Sequence, residues 1–368
     1  MLFRQLIDNE TSTFTYLLAD EGTREAVLID CVYEQHFRDL ALLRELDLRL
    51  TYTLETHVHA DHVTGAWLMK QALGSAIGVS ATAGAQGLDL AYAHGDVITI
   101  GQLRLEVLET PGHTAGCVSF VVPAEKLVFT GDALLIRGAG RTDFQQGDAE
   151  RLFRSVRERI LSLPLDYVVY PAHDYDGRCS STIAEERRFN PRLGDGVREE
   201  DFVGYMKNLG LPHPKKLNIA VPANLVCGKP SDGSAGPRLP DWGPVVRTYA
   251  GVLQVEPEWV HTHAEELTIV DVRELDEIKA TEMGLLPKSV IAPLSTLRQH
   301  LDELPRDRPI IVVCPAGARS AIAATLLEKA GVPRVANLRG GILGWRAHGQ
   351  ATESPSTVLR DAFVVGGA

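Results

Sequence analysis

The sequence predicts an α/β protein with two domains, the first larger than the second. Before residue 228, four apolar segments each lead into a residue that can bind a metal. Residues 229–245 are rich in proline, glycine and serine, which indicates a linker. Beyond the linker, strand-like and helix-like segments alternate again. We therefore expect domains at 1–228 and 246–355, followed by a C-terminal tail at 356–368.

The composition is that of a globular protein with no general affinity for polyanions. The 368 residues are 45% hydrophobic and 23% charged, which is enough apolar material for two or three packed domains. The formal net charge of −11 makes nucleic acid or an acidic membrane surface an unfavourable partner. We find no signal peptide and no stretch long enough to span a membrane. The five cysteines form no paired framework, so we expect a cytoplasmic protein.

The first domain begins with the alternation of strands and turns that is typical of a sheet. "TFTYLLA" (13–19) and "AVLID" (26–30) are predicted strands, and the turn "DEGTRE" joins them. A helix is expected from about His36 to Leu46, and "RLTYTLET" (49–56) is the next strand.

Four apolar strands of this domain end at potential metal ligands. "TYTLET" leads into His57, "LEVLETPG" into His113, "KLVFTG" into Asp132, and "DYVVYPA" into His173. In layered α/β proteins, binding and catalytic sites form beyond the carboxyl ends of the strands, where the loops do not have to hold the sheet together. We therefore expect these four side chains to meet at one edge of the domain.

The segment "THVHADHVTG" (56–65) adds further ligands to this set. Within six positions it carries His57, His59, Asp61 and His62. Together with the residues after the later strands, this makes seven candidate ligands, enough for two metals bridged by the aspartate or for one metal with ligands to spare. Counting ligands does not separate these two arrangements.

The motifs "THVHADH", "TPGHTAG", "FTGD" and "PAHDY" resemble those of the metallo-β-lactamase fold superfamily. The resemblance implies an αββα sandwich with a metal site on one edge. It also implies that Asp30, at the end of "AVLID", supports this site from behind; the alternative is an ordinary aspartate at a strand end. Within that superfamily, "GRTDFQQGD" (140–148), "YPAHDYDG" (170–177) and "EERRFNPRL" (185–193) closely resemble the persulfide dioxygenases. This match runs from about residue 2 to residue 228.

The resemblance implies a non-haem iron(II) dioxygenase with one Fe(II) per chain. Its ligands would be His57, His113 and Asp132, a 2-His-1-carboxylate face that leaves three positions for substrate sulfur, O₂ or water. Four further residues would orient these ligands or be the remains of a second site: His59, Asp61, His62 and His173.

The resemblance also implies the substrate, glutathione persulfide, and the products sulfite and glutathione. Arg141 and Tyr175 are our candidates for holding the carboxylates of the substrate, since a guanidinium clamps a carboxylate bidentately and a phenol can donate to one. Relatives of the first domain suggest a homodimer.

A cysteine followed by a short loop marks the second domain. In "IIVVCPAGARS", Cys314 ends a predicted strand and a helix follows Arg319. The intervening loop consists of Pro315, Ala316, Gly317 and Ala318. Backbone N–H groups of such a loop can point at the sulfur, which lowers the pKa of a cysteine from about 8.5 to about 7 or below. The alternative is a small apolar cysteine that finishes a strand.

The segments "IVDVRE" (269–274), "CPAGARS" and "LRGGILGW" (338–345) resemble the rhodanese family in order and spacing. The resemblance spans about 246–355 and implies that Cys314 accepts a sulfane sulfur and passes it on. Asp271 and Arg273 would hold the fold together, and Arg319 would attract thiosulfate or sulfite or be a charge on the helix surface. Many rhodaneses show "GHIPGA" where this chain has "MGLLPKSV" (283–290).

The two resemblances predict a joint function. Thiosulfate and glutathione would give glutathione persulfide and sulfite at Cys314, and iron and O₂ would oxidise the persulfide. The rival hypothesis is a dinuclear zinc thioester hydrolase of the glyoxalase II type, with a second domain that only carries sulfur.

Overall fold

The computed structural model describes residues 1–234, 236–280 and 282–354. The chain divides into two compact units, one at Met1–Gly236 and the other from Pro237 onward. The predicted tail at 356–368 lies outside the described residues. In the described part of the chain, no helix has the length and apolar character that crossing a bilayer requires.

The first unit contains two six-stranded sheets. The strands of the first sheet are, in order across it, β1 Leu2–Asp8, β2 Thr13–Ala19, β3 Glu25–Ile29, β4 Arg49–Leu54, β5 Ala76–Ser80 and β6 Leu90–Tyr92. Pairing is antiparallel from β1 to β3 and parallel from β3 to β6. The strands of the second sheet are β7 Val97–Ile100, β8 Leu103–Glu109, β9 Val118–Val122, β10 Leu127–Gly131, β11 Val168–Pro171 and β12 Ser181–Thr182. In that sheet only β10 and β11 pair in parallel.

Helices cover the outer faces of both sheets. They are α1 His36–Glu45, α2 Ala66–Leu73, α3 Ala149–Ser155, α4 Ile183–Phe189, α5 Glu199–Lys207 and α6 Leu217–Asn224. Strand β2 shows how the layers form, because its side chains alternate between two cores. Tyr16 and Leu18 pack between the sheets, whereas Leu17 packs on the side of α1 and α2. Residues of α3, α4 and α5 pack on the other face of the second sheet. The predicted αββα sandwich is confirmed.

The second unit is built on one mostly parallel sheet. Its strands are β13 Val246–Arg247, β14 Leu253–Val255, β15 Thr268–Asp271, β16 Val290–Ile291, β17 Ile310–Val313 and β18 Val335–Leu338. Their spatial order is β13-β14-β18-β17-β15-β16, and only β13 and β14 pair antiparallel. The helices are α7 Pro257–Thr262, α8 Leu275–Ala280, α9 Ala318–Lys329 and α10 Gly341–Ala347. Separate cores lie on the two faces of the sheet, which confirms the predicted α/β architecture.

The predicted elements agree closely with these bounds. The helix expected from His36 to Leu46 ends one residue earlier, at Glu45. The helix expected after the cysteine loop ends at Lys329, and Gly331 follows with a φ of 82°, a conformation that favours glycine. The segment "THVHADHVTG" predicts Asp61 and His62 at a turn and the start of a helix, whereas α2 begins only at Ala66.

Candidate metal centre and cysteine loop

The carboxyl ends of four strands bring the predicted ligands of the first unit together. His57 follows β4, His113 follows β8, Asp132 follows β10 directly, and His173 follows β11. All four line a cavity of about 400 Å³. The sequence-based expectation that these strand ends meet is therefore confirmed.

Three of these residues form a compact group of donor atoms. One atom each of His57, His113 and Asp132 lies within 4.8 Å of the other two. Nδ1 of His113 is 2.6 Å from the carbonyl oxygen of Arg141, to which it donates. This contact leaves the lone pair on Nε2, which lies 3.5 Å from Oδ2 of Asp132. Nε2 of His113 is thus available to a metal beside the carboxylate.

A relay of buried groups orients His57 in the same way. The hydroxyl of Thr56 donates to Oδ2 of Asp30 over 2.8 Å, so its oxygen accepts from Nδ1 of His57 at 3.0 Å. Asp30 also accepts from the backbone N–H of Thr56 at 2.7 Å. Asp30 therefore supports the metal-binding loop from behind, as one of its two predicted roles required.

The charge states suit a divalent metal. Burial and the neighbouring His59 hold the pKa of His57 well below its usual range, which keeps its ring neutral. Burial alone would raise the pKa of Asp132, but the charge and hydrogen bond of His173 outweigh it, so the carboxyl stays ionised. Two imidazoles and one carboxylate make up the donor set of the facial triad.

His173 is engaged through both of its ring nitrogens. Nδ1 lies 2.7 Å from Oδ1 of Asp132, and Nε2 lies 3.0 Å from Oδ2 of Asp61. Burial lowers the pKa of His173, but the two carboxylates raise it well above the usual range. His173 therefore orients Asp132, and its contact occupies one oxygen of that carboxylate.

His59 and His62 point into carboxylate-rich surroundings of their own. Nε2 of His59 lies 3.2 Å from Asp30 and 3.4 Å from Glu55. Burial opposes a charge on this ring, but the two carboxylates raise the pKa of His59 to about 10. Nδ1 of His62 lies 3.0 Å from Oδ2 of Asp61, while its Nε2 is buried without a hydrogen-bond partner. His59, Asp61 and His62 form a second group with metal-ligand spacing.

Sequence reasoning missed the residue that fixes the backbone of this loop. Asn224, the last residue of α6, donates from Nδ2 to the carbonyl oxygens of His59 and His62 at 2.9 and 2.8 Å. Its Oδ1 accepts from the backbone N–H of Thr64 at 2.8 Å. No local pattern marked this asparagine, because its partners lie about 160 residues earlier in the chain.

The predicted substrate residues line the cavity in different states. Arg141 already pairs with Asp143, with two contacts of 2.6 Å, and donates to the carbonyl of Pro212. Tyr175 stacks on His173 at 6.0 Å, with its side chain largely exposed. Arg192, which we did not predict, also lines the cavity and stacks on the ring of Tyr205 at 5.0 Å. Among the described residues, Arg192 has no carboxylate in ion-pair contact.

The cysteine loop of the second unit surrounds a buried thiol. Cys314 follows β17, and its Sγ accepts from the backbone N–H of Gly317 and from the hydroxyl of Ser320, both at 3.2 Å. Gly317 has a φ of 96°, which strongly favours glycine and lets the loop curl back toward the sulfur. Ser320 is a contact that sequence reasoning did not assign.

The charged residues around the loop are paired. Arg319 binds the carboxylate of Glu277 on α8 bidentately, with two contacts of 2.7 Å. Arg273 is fully buried, pairs with Asp271 and donates to the carbonyl of Gly284 at 2.7 Å. This last bond anchors the "MGLLPKSV" segment, in agreement with the structural role expected for Asp271 and Arg273.

Comparisons with known proteins follow the same division of the chain. Residues 8–173 match the family model of the metallo-beta-lactamase superfamily, and residues 256–348 match that of the rhodanese-like domain. The human persulfide dioxygenase ETHE1, mitochondrial, is 52% identical over 229 residues, which cover 62% of this chain and 89% of the relative. A probable metallo-hydrolase of Burkholderia pseudomallei is 32% identical over 277 residues, covering 62% and 94% of the two chains.

A solved structure gives the same result. The crystal structure of ETHE1 from Myxococcus xanthus is 50% identical, with a TM-score of 0.60, and the match covers 62% of this chain and all of that one. The second unit adds a sulfurtransferase fold to this dioxygenase. The chain therefore belongs to the persulfide dioxygenase family of the metallo-β-lactamase superfamily, and it carries a rhodanese-like domain after the dioxygenase domain.

Proposed function

We propose that the first domain oxidises glutathione persulfide with O₂ to sulfite and glutathione, using one Fe(II) per chain. The reaction balances as one persulfide, one O₂ and one water giving glutathione, sulfite and two protons. The observation that carries the proposal is the triad of His57, His113 and Asp132, with each ring turned so that one nitrogen is free. A bound iron(II) would supply the redox chemistry that activates O₂, which zinc lacks.

The contacts around the triad favour one metal over two. His173 binds carboxylates through both ring nitrogens, so the described geometry leaves it no lone pair to offer. His173 contacts Oδ1 of Asp132, so only Oδ2 of this carboxylate faces the triad. An aspartate that bridged two metals would have to coordinate both of them. His59 is held on its Nε2 side by two buried carboxylates.

The cavity beside the triad suits an anionic substrate. Glutathione persulfide carries two carboxylates, and we propose that Arg192 binds one of them. Its charge has no carboxylate partner among the described residues, and its bond to the carbonyl of Ala139, 3.2 Å long, holds it at the cavity wall. Tyr175 would donate its phenol to the substrate from the exposed side. Arg141 would contribute positive potential while its ion pair with Asp143 shapes the wall.

We further propose that Cys314 transfers sulfane sulfur between thiosulfate and glutathione. The Cys314 thiolate attacks the outer sulfur of thiosulfate, a new S–S bond forms, and sulfite leaves with the electron pair of the old one. Glutathione thiolate then takes the outer sulfur and releases the Cys314 thiolate. The Gly317 N–H and the Ser320 hydroxyl would stabilise negative charge on sulfur in both steps.

Oxygen consumption by metal-quantified protein tests the first activity. With glutathione persulfide as the only substrate, we expect about one iron per chain and one O₂ consumed for each sulfite formed. Protein loaded with zinc pairs that hydrolyses a glutathione thioester and consumes no O₂ would instead establish the glyoxalase II type of hydrolase. Reconstitution of the same apoprotein with zinc serves as the matched control.

A further inference from the structure

We propose that the hydroxyl of Thr13 closes a second metal position and keeps the centre of this enzyme mononuclear. Four candidate ligands remain once the triad is assigned. His59 lies against Asp30 and Glu55, whereas Asp61, His62 and His173 surround Thr13. The inference rests on the one-metal site proposed above, and it explains why a chain with seven candidate ligands would bind only one metal.

Thr13 contacts all three of these residues. Its hydroxyl donates to Oδ2 of Asp61 at 3.0 Å and lies 3.1 Å from Nε2 of His173 and 3.4 Å from Nδ1 of His62. The Thr13 side chain is fully buried. The Thr13 hydroxyl, a small neutral group, therefore lies between Asp61, His62 and His173.

The fold holds Thr13 in this place through its backbone. Thr13 is the first residue of β2, and it forms an isolated antiparallel bridge with His173. The N–H of the next residue, Phe14, donates to the carbonyl of Ala172 at 2.7 Å. The backbone of Thr13 is therefore held against the strand end that carries His173.

The Thr13 hydroxyl makes contacts with Asp61 and His173 that a bound cation would otherwise make. It gives a hydrogen bond to the Asp61 carboxylate and can accept one from His173, so both groups already have partners. A metal would need Asp61 and His173 to exchange these bonds for coordination at about 2.0–2.2 Å. A serine at position 13 should act alike, whereas an alanine should leave the ligands open.

Metal stoichiometry of the full chain tests the inference without any activity assay. Apoprotein is titrated with Zn²⁺ alone, and bound metal is measured by calorimetry and by elemental analysis after desalting. We expect one ion per chain for wild type and for Thr13→Ser, and two for Thr13→Ala. Thr23→Ala is the matched control with one ion, since the Thr23 hydroxyl bonds to Asp20 and to the backbone N–H of Glu25 in an exposed turn and contacts neither Thr13 nor a candidate ligand.

A second variant covers the case in which Thr13→Ala does not fold. Thr13→Cys is close to serine in size and brings a thiolate, a good zinc ligand, to the same position, so it should also bind two ions. Suppose that wild type binds one ion and that Thr13→Ala and Thr13→Cys, as far as they fold, also bind one. That result would overturn the role of Thr13 and leave the one-metal proposal intact. Two ions in wild type would contradict the one-metal proposal itself.

Discussion

At the scale of single residues, Asp132 shows how a carboxylate can be assigned to one metal. Its Oδ1 is held by His173, whereas its Oδ2 faces the triad, 3.5 Å from Nε2 of His113. The ring nitrogens of His57 and His113 that face away from the triad are held by Thr56 and by a backbone carbonyl. Such outer contacts typically contribute ten- to hundredfold to metal affinity or activity.

Replacement of Arg192 by alanine should weaken substrate binding selectively. A hydrogen bond to a charged group contributes about 1.5–3 kcal/mol, which corresponds to a roughly ten- to hundredfold lower kcat/KM for glutathione persulfide. Steady-state O₂ uptake measures this loss, and an alkyl persulfide without carboxylates should show none. Arg188→Ala, which removes an exposed arginine that does not line the cavity, is the matched control. Equal losses for both substrates would assign Arg192 to the structure of the wall.

Replacement of Ser320 by alanine should slow sulfur transfer at Cys314. The variant removes one of the two described donors to the thiol and leaves the Gly317 N–H in place. Loss of a donor to a thiolate destabilises the reactive form, so we expect roughly tenfold slower alkylation of Cys314 and slower thiosulfate turnover at neutral pH. Thr325→Ala, further along α9, removes a hydroxyl that bonds only its own helix. Equal effects of the two variants would indicate general damage to α9.

The sequence predicts which of these residues can bind a metal or a substrate better than it predicts the residues with which each of them pairs in the fold. The histidines and Asp132 follow recognisable strands, so their convergence can be predicted from order along the chain alone. Arg141 and Arg319 pair with carboxylates that only the folded chain brings near. Among the described residues, Arg192 donates to the carbonyl of Ala139 and has no carboxylate partner. The sequence alone therefore favours Arg141, in the motif "GRTDF", and gives no sign of how Arg192 is paired.

At the scale of elements, α6 is the part of the fold that connects most directly to the metal centre. Asn224 at its end makes three hydrogen bonds to the loop between His59 and Thr64. Asn224→Ala would leave three buried backbone groups unsatisfied, each costing about 1–3 kcal/mol if nothing replaces the bond. We expect lower unfolding free energy in urea and faster loss of metal to a chelator. Asn208→Ala, which removes an exposed contact within α5, should change neither.

Helices and strands whose own sequence marks where they begin and end can be predicted. Those that are held by contacts with residues far away in the chain are harder to predict. The buried strands and α9 combine apolar runs with clear stops. Helix α4 also carries a signal, since Thr182 and Glu185 form a capping box at its start, yet we made no prediction for it. Helix α6 contains Pro222 and has no side-chain cap, so its local sequence argues against a helix. Its contacts with the loop that carries His59 nevertheless hold it in place.

At the scale of the whole molecule, the two units bring together reactions that share a compound. The proposed product of Cys314, glutathione persulfide, is the proposed substrate of the dioxygenase. The reactive groups lie in separate compact units, each with its own sheets and cores. This organisation predicts two activities that single substitutions can separate.

Oxygen uptake with thiosulfate and glutathione as the only substrates tests this organisation. Wild type should consume O₂, because the second domain forms the persulfide that the first one oxidises. His113→Ala should lose all O₂ uptake but retain sulfite release from thiosulfate. Cys314→Ser should fail with thiosulfate and yet oxidise glutathione persulfide added directly.

Mixing the two variants in one solution then decides how the persulfide passes between the reactions. Each variant chain carries one intact domain, so a freely diffusing persulfide should restore O₂ uptake in the mixture, with a lag that shortens as the Cys314-intact chain is increased. The control is each variant mixed with itself at the same total concentration. If the mixture stays inactive while both single activities are normal, the two domains must lie on one chain, and the independence of the two reactions would be contradicted.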